Sequence, residues 1–271
     1  MVKIDIPKEI LEKLYIENGK NAYQISKKLK CGSTTVYRKL DEYKIKRRDN
    51  SVCHLRYKKN SFSGDKKEMS YLIGFRLGDL HVRKAVNSPG CKTVRVESHT
   101  TKEVQIKLVK FLFEKYSHVH CSKISNKTLR ALCFLDKSFY FLLPKKDRIE
   151  NWIKLDNDIF FSFLAGYVDA EGHIGLHSKN KNGRLKILTQ DKGIIFSVQR
   201  KLVKIGIKCP KPRLAVIKGY TSPSYPNKPM NKDVWEINVN GENVKILLRH
   251  ILPYLKHEER KKAALHVLNK G

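Results

Sequence analysis

The decapeptide FLAGYVDAEG, residues 163–172, places two acids within a run of small and apolar residues. Gly166 and Ala170 lie one helical turn apart, a spacing of small residues that lets two helix backbones approach closely. Asp169 and Glu171 follow within the same few turns. The stretch therefore predicts a buried helix that packs against a partner helix and ends in carboxylates.

A diverged copy of this pattern occurs earlier in the chain. SYLIGFRLGDLHV, residues 70–82, aligns with SFLAGYVDAEGHI, residues 162–174, with matching Ser, Leu, Gly and His positions. Asp79 stands in the position of Glu171, and a Gly-x-x-x-Gly pair repeats the spacing of small residues. If the two helices pack along these small residues, the two acids lie side by side.

The segments after each acid repeat as well. Each half reads as helix, strand, strand, helix, strand, strand, helix. This order predicts an α+β fold, in which two αββαββα repeats form a pseudo-twofold saddle and a small all-α domain precedes them. The predicted boundaries are 1–50 for the all-α domain, 51–65 for a linker, 66–150 for the first repeat and 151–271 for the second.

Alternation along the predicted strands gives each sheet one apolar and one basic face. Helices would cover the apolar face, and the basic face would read a DNA groove. The strand residues predicted to contact DNA are His81, Arg83, Arg95, His99, His173, His177, Lys179, Arg184 and Lys186.

The total charge indicates a polyanionic partner. Lys and Arg number 56 against 26 Asp and Glu, and the resulting net charge of +30 destabilises a compact state unless a polyanion is bound. The basic residues are spread along the whole chain rather than collected on one amphipathic helix, which favours nucleic acid over a membrane surface. No apolar run is long enough to span a membrane and no targeting segment is evident, so a cytoplasmic location is expected.

The first fifty residues show three short segments of helical periodicity separated by turns. A helix, a turn that contains Gly32 and a further helix are typical of a helix-turn-helix, whose last helix enters the major groove. A three-helix protein-interaction module is the alternative, and the positive charge favours DNA. The residues predicted to contact DNA are Thr34, Thr35, Tyr37 and Arg38 on the last helix, with Arg47 and Arg48 beyond it.

The paired acids require a counter-charge. Two unpaired carboxylates side by side repel each other, and one is driven to protonate. A divalent metal removes this conflict, and paired carboxylate oxygens suit Mg²⁺, which also takes water and phosphate oxygens. A metal between two acids and a phosphodiester is the arrangement of in-line hydrolysis. Asp79 and Glu171 are therefore candidate metal ligands.

LAGYVDAEG resembles the LAGLIDADG motif of homing endonucleases, and LIGFRLGDL is similar to a diverged first copy. The resemblance covers residues 66–271. It implies a single-chain, monomeric pseudodimer that makes a double-strand break with short 3′ overhangs at a long, asymmetric DNA site. It also implies Mg²⁺ as the cofactor, with Mn²⁺ able to substitute. The ligands implied by the motif positions are Asp79, Glu171 and the backbone carbonyls of Gly78 and Ala170.

The family also places polar and basic groups around the reacting phosphates and a lysine in the closing helix of each repeat. The catalytic candidates that follow from position are Gln190 and Lys192 in the second half and Lys102, with His99, in the first. The candidates for the closing-helix lysines are Lys145 and Lys256.

The first copy departs from the motif at Arg76, Leu77 and Leu80. A DNA-binding regulator that keeps the scaffold without cutting therefore stays open, as does a maturase that helps an intron RNA to fold. The two retained acids favour the endonuclease, because a non-cleaving descendant does not need both. A start at Met1 and the lack of a terminal His-Asn pair predict a free-standing or intron-encoded protein rather than an intein.

Overall fold

The computed structural model describes residues 5–47, 57–86, 90–177, 182–223 and 227–270. The chain divides into two compact units, Met1–Lys58 and Lys59–Gly271, and each unit has its own hydrophobic core. Across the described ranges, no helix combines the length and the apolar character needed to cross a membrane.

The described part of the N-terminal unit is all-α. Helix α1 (Lys8–Glu12) runs into a π-helical turn (Lys13–Glu17) and is followed by α2 (Ala22–Lys28) and α3 (Ser33–Glu42). A capping box starts α2, because Oδ1 of Asn21 accepts from the Gln24 N–H and Oε1 of Gln24 accepts from the Asn21 N–H. Leu11, Ile25 and Leu40 from the three helices are fully buried against one another.

The second unit contains the same order of elements twice. The first repeat comprises α4 (Lys66–Gly78), β1 (His81–Lys84), β2 (Thr93–Thr100), α5 (Glu103–Phe113), β3 (Val119–Lys123), β4 (Leu129–Asp136) and a 3₁₀ helix (Lys137–Leu142). The short helix α6 (Asn151–Leu155) leads into the second repeat. The second repeat comprises α7 (Asn157–Glu171), β5 (Gly172–Leu176), β6 (Gly183–Thr189), α8 (Lys192–Lys204), β7 (Arg213–Val216), β8 (Val234–Asn240), α9 (Gly241–Ile251) and α10 (Glu258–Asn269). The predicted α+β fold of two repeats is confirmed.

Each repeat forms a four-stranded antiparallel sheet. The strand order is β1-β2-β4-β3 in the first repeat and β5-β6-β8-β7 in the second. Val94 and Val96 on β2, and Leu185 and Ile187 on β6, are almost completely buried. Helix α5 packs on the first sheet and helices α8 and α9 pack on the second, so helices cover the apolar faces.

The two repeats end differently. In the first repeat the closing element is a 3₁₀ helix that ends at Leu142, and a regular helix begins only at Asn151. Pro144 lies between them, and proline has no N–H and restricts the residue before it, so a helix does not continue through this position. The second repeat closes with the regular helix α9 and adds α10.

Helices α4 and α7 pack along their glycines. A Cβ atom added at Gly74 would lie 2.1 Å from the carbonyl oxygen of Phe163. A Cβ atom added at Gly166 would lie 2.1 Å from the carbonyl oxygen of Tyr71. Side-chain carbons do not approach backbone oxygens this closely, so only glycine permits the observed contact of the two backbones.

Asp169, the first acid of FLAGYVDAEG, ties three segments of the second unit together. Its Oδ2 accepts hydrogen bonds from the Tyr71 hydroxyl at 2.5 Å, the Lys256 N–H at 2.8 Å and the His257 N–H at 3.1 Å. Burial raises the pKa of Asp169 to about 6, against the effect of these hydrogen bonds. Asp169 thus joins α4, α7 and the segment before α10, which leaves Glu171 as the accessible acid of the motif.

Candidate functional site

Two acids lie where α4 and α7 end. Asp79 follows the last residue of α4, and Glu171 is the last residue of α7. A Cβ atom added at Gly78 would lie 2.7 Å from Cγ of Glu171 and 2.8 Å from Cβ of Ala170. Glu171 therefore rests against the backbone immediately before Asp79. The structure brings together the four residues predicted to hold a metal.

The acid pair lacks a counter-charge in direct contact. Burial and the facing Glu171 raise the pKa of Asp79 to about 7. Glu171 stays exposed, and partial desolvation raises the pKa of its carboxyl as well. Within the described ranges, neither carboxylate forms an ion pair with a basic side chain. Without a bound cation, the pair therefore resists carrying two full charges near neutral pH.

Gln105 is a partner of Asp79 that the sequence analysis did not identify. It lies on α5, is 6 % exposed and donates from Nε2 to Oδ2 of Asp79 over 2.6 Å. This hydrogen bond fixes the Asp79 carboxylate and favours its ionised form. The available signal was a glutamine on the apolar face of a helix, in line with Leu108 and Leu112.

Lys145 lies beside the acid pair. Its positive charge lowers the pKa of Glu171, and its Nζ pairs with Oδ2 of Asp191 over 3.4 Å. The other closing-segment candidate, Lys256, has its Nζ 4.7 Å from the centre of the Tyr71 ring, and burial lowers the pKa of its amine. Of the two lysines, Lys145 is therefore the one whose charge acts on the acid pair.

The remaining catalytic candidates have other partners or lie at the end of a strand. Nζ of Lys102 faces Oε2 of Glu259 at 3.7 Å. Nζ of Lys192 lies 4.5 Å from the centre of the Trp235 ring. Gln190 is exposed directly after β6. Their catalytic role stays a prediction.

The first sheet presents the basic face expected from the alternation. His81 pairs with Glu97 across β1 and β2, and Arg83 pairs with Arg95, so these side chains share one face. His99 follows on the same face of β2 and is exposed. The four predicted DNA-contacting residues of this sheet are thus adjacent on one surface.

The second sheet repeats the arrangement. His173 pairs with Lys186 across β5 and β6, and Arg184 lies two residues before Lys186 on the same face. His177 lies just beyond β5 and is half-buried. Lys179 falls outside the described residues. The described candidates of this sheet again share one surface beside the motif acid.

Glu97 lies buried within the first basic face. It pairs with Arg95 at 2.8 Å, with His99 at 3.2 Å and with Arg130 at 3.6 Å. These contacts hold the pKa of Glu97 below its ordinary value, although burial alone would raise it. The carboxylate fixes the directions in which the basic side chains point.

Glu236 has the same role in the second sheet. It pairs with Lys186 and with Arg213, each at 2.7 Å, and accepts a hydrogen bond from Asn238. Burial opposes ionisation, but these contacts hold the pKa of Glu236 at about 2. One carboxylate therefore positions three polar side chains on this face.

We predict that Glu236→Gln destabilises the protein at pH 7 but not near pH 2. The folded-state pKa of Glu236 lies below its ordinary value of 4.5, so its stabilisation is complete above pH 4.5 and is lost as pH falls through about 2. The expected loss in free energy of unfolding at pH 7 is roughly 1–2 kcal/mol, measured by urea denaturation.

The matched control is Glu242→Gln, because Glu242 pairs with Lys245 at 3.0 Å but is 74 % exposed. An exposed pair contributes little, so this variant should unfold like the wild type. A difference between Glu236→Gln and the wild type that stays constant from pH 7 to pH 3 would contradict the prediction.

The N-terminal unit exposes part of its predicted DNA-contacting set. Thr34 and Arg38 on α3 are exposed, while Thr35 and Tyr37 are half-buried. Arg47 donates from Nε to Oδ1 of Asp41 over 2.8 Å and lies over the Tyr37 ring. Arg48 falls outside the described residues. DNA recognition by this unit stays a prediction.

Residues 159–252 match the family model of a LAGLIDADG-like domain, which confirms the resemblance seen in the sequence for the second repeat. Among solved structures, the homing endonuclease I-WcaI bound to its DNA recognition sequence is 19 % identical, with 73 % of this chain and 86 % of that chain covered and a TM-score of 0.48. I-DmoI in complex with DNA and Mn is 20 % identical, with 76 % and 98 % covered and a TM-score of 0.41. The N-terminal LAGLIDADG domain of WhiA is 14 % identical, with 74 % and 90 % covered and a TM-score of 0.46. No curated protein matches the chain.

Proposed function

We propose that this chain is a site-specific DNA endonuclease of the homing type, which cuts both strands of a long, asymmetric site as a monomer. The observation that carries the proposal is the pair Asp79 and Glu171, which two packed helices bring together without a counter-charge in direct contact from any described residue. Such a pair is costly to the fold unless a cation occupies it. The basic faces beside it supply the surface for a DNA backbone.

The residues at the helix ends fit a hard divalent cation. The described ranges contain no group of three or more His, Cys, Asp or Glu side chains that could hold a metal ion. Asp79, Glu171 and the carbonyls of Gly78 and Ala170 would leave positions for water and phosphate oxygens, as Mg²⁺ or Mn²⁺ prefers. When bound, such a cation supplies a Lewis acid that stabilises negative charge on the phosphodiester.

Side chains next to the acid pair hold one of its carboxylates in place and add positive charge beside the other. Gln105 holds one oxygen of Asp79 and thereby limits rotation of the carboxylate. Lys145 adds positive charge beside Glu171, where an oxyanion of the substrate would otherwise be repelled. Asp191 pairs with Lys145 and positions it.

The basic faces would bind the DNA on both sides of the cut. Because Glu97 and Glu236 fix the orientation of the basic side chains that they contact, these basic side chains could bind base edges as well as phosphates. In the N-terminal unit, Thr34 and Arg38 would add contacts to a further part of the site.

The test begins with selection of the target. The full-length protein would select its preferred duplex from a randomised pool in Ca²⁺, and the selected duplex would be incubated with Mg²⁺ or Mn²⁺. A discrete break in both strands supports the endonuclease. Tight, sequence-specific binding without a break in either metal would contradict it and would support a regulator. Binding of a structured intron RNA in preference to every duplex would instead support a maturase.

A further inference from the structure

The C-terminal helix α10 lies against the acid-bearing part of the second repeat. It packs on β5, the strand that follows Glu171 directly, and on β6. The contact with β6 is close, because a Cβ atom added at Gly183 would lie 2.4 Å from Cγ1 of Val267. The two hydrogen bonds from the Lys256 and His257 N–H groups to Asp169 attach the start of this helix to α7. The first turn of α10 is therefore held in a fixed position.

Arg260 lies on this first turn and has an unsatisfied guanidinium. The side chain is half-buried, and its Nε is buried without a hydrogen-bond partner. Among the residues that the structure describes, Arg260 forms no hydrogen bond or ion pair. Buried polar donors in folded proteins nearly always have a partner, so the Arg260 Nε–H, like those of Arg95 and Arg130 on the first basic face, is free to bind an anionic ligand or water.

The positive charge of Arg260 acts on the acid pair, because it opposes the rise in the pKa of Asp79 that burial and Glu171 cause. Burial lowers the pKa of His173, the second residue of β5, and the charge of Arg260 lowers it further. Lys145 has the corresponding effect on Glu171. Each acid of the pair thus has one cationic side chain whose charge acts on it without forming an ion pair among the described residues.

We propose that Arg260 is a further catalytic residue, whose guanidinium binds a non-bridging oxygen of the phosphodiester on the Asp79 side of the cleavage centre. A guanidinium is always charged and offers donors in a planar fork that matches phosphate oxygens. The assignment rests on the proposed endonuclease function and gives it a residue outside both motif copies. Lys256, the candidate in this region by position, is engaged with the Tyr71 ring instead.

The first measurement is the salt dependence of DNA binding in Ca²⁺, with the full-length protein and the duplex that the wild type selects from a randomised pool. Arg260→Ala should lower the slope of log affinity against log salt by about 0.9, the value for one lost phosphate contact. The control Lys261→Ala removes the same charge from the next residue, which is exposed, and should keep the wild-type slope. Equal slopes for Arg260→Ala and the wild type would overturn the proposal, whether or not the protein cuts.

The second measurement is the single-turnover cleavage rate in Mg²⁺. Arg260→Ala should cut roughly a hundredfold more slowly than the wild type, as when one donor to a developing oxyanion is removed. Arg260→Lys should keep the salt slope but cut roughly tenfold more slowly, because an ammonium does not reproduce the guanidinium fork. If Arg260→Ala does not fold, as judged by circular dichroism, wild-type cleavage by Arg260→Lys would by itself overturn the proposed guanidinium contact. Failure of the wild type to cut any duplex would instead count against the endonuclease.

Discussion

We expect Asp79→Asn and Glu171→Gln each to lower the rate of DNA cleavage by about a thousandfold or more and to retain binding of the selected duplex. The expected size follows from the several kcal/mol that a bound metal contributes to charge stabilisation, since each 1.4 kcal/mol is a factor of ten in rate. Either change removes one of two carboxylates that rest against each other at the ends of α4 and α7. The side chains keep their size, so the helix contact should persist. The rates would be measured in single turnover with excess enzyme.

Binding should not weaken in these variants, because each loses a negative charge at a surface that faces phosphates. Glu103→Gln is the matched control, since it removes an exposed acid of the first repeat at the start of α5. It should cut like the wild type. Wild-type cleavage by either Asp79→Asn or Glu171→Gln would exclude that residue from the catalytic centre.

Gly74→Ala and Gly166→Ala should each destabilise the second unit by roughly 3 kcal/mol or more, at the upper end of the cost of overpacking. The added Cβ would lie 2.1 Å from a backbone oxygen of the partner helix in both cases. A tightly packed helix can shift only if its neighbours shift with it, so a local movement does not relieve the strain of the added Cβ atom. The expected effect is a fall in the thermal midpoint of about 10 °C, measured by circular dichroism.

The control for this pair is Gly90→Ala, because a Cβ atom at Gly90 meets no heavy atom within 4 Å. That variant should unfold at the wild-type temperature. Thermal midpoints for Gly74→Ala and Gly166→Ala that equal the Gly90→Ala value would contradict the close helix contact. Gly74→Ala and Gly166→Ala should also cut DNA more slowly than the wild type, because the helix contact sets the separation of the two acids.

Repeats and periodicity explain why the centre of the fold was predictable from the sequence. Two in-phase copies of one motif place Gly74 against Gly166 and bring Asp79 next to Glu171, without knowledge of any other contact. Strand alternation likewise predicts which residues share a sheet face, because side chains alternate with a period of two. These features depend on local spacing, and the structure has them in the expected places.

Contacts between distant segments were not predictable in the same way. Gln105 donates to Asp79 only because the fold brings this residue of α5 to the end of α4, and the charge that acts on Asp79 from Arg260 comes from the C-terminal helix. Glu236 lies on β8, where an isolated acid within a strand does not reveal that Lys186 and Arg213 will surround it. The 3₁₀ closing element of the first repeat was likewise not predictable, because Pro144 and Pro253 each follow the last closing-helix residue by two positions, yet the second repeat closes with the regular helix α9.

The central claim, that Asp79 and Glu171 share a divalent cation on the DNA, is tested most directly by Mn²⁺ binding. Electron paramagnetic resonance would measure bound Mn²⁺ in complexes of the wild type and of the double variant Asp79→Asn, Glu171→Gln with the selected duplex, frozen immediately after mixing. The free duplex would give the background from phosphates. We expect the wild-type complex to contain a Mn²⁺ site that is absent from the free duplex, and we expect the affinity of this site to fall by at least about tenfold in the double variant. Equal Mn²⁺ affinity in the two complexes would show that Asp79 and Glu171 do not hold the cation.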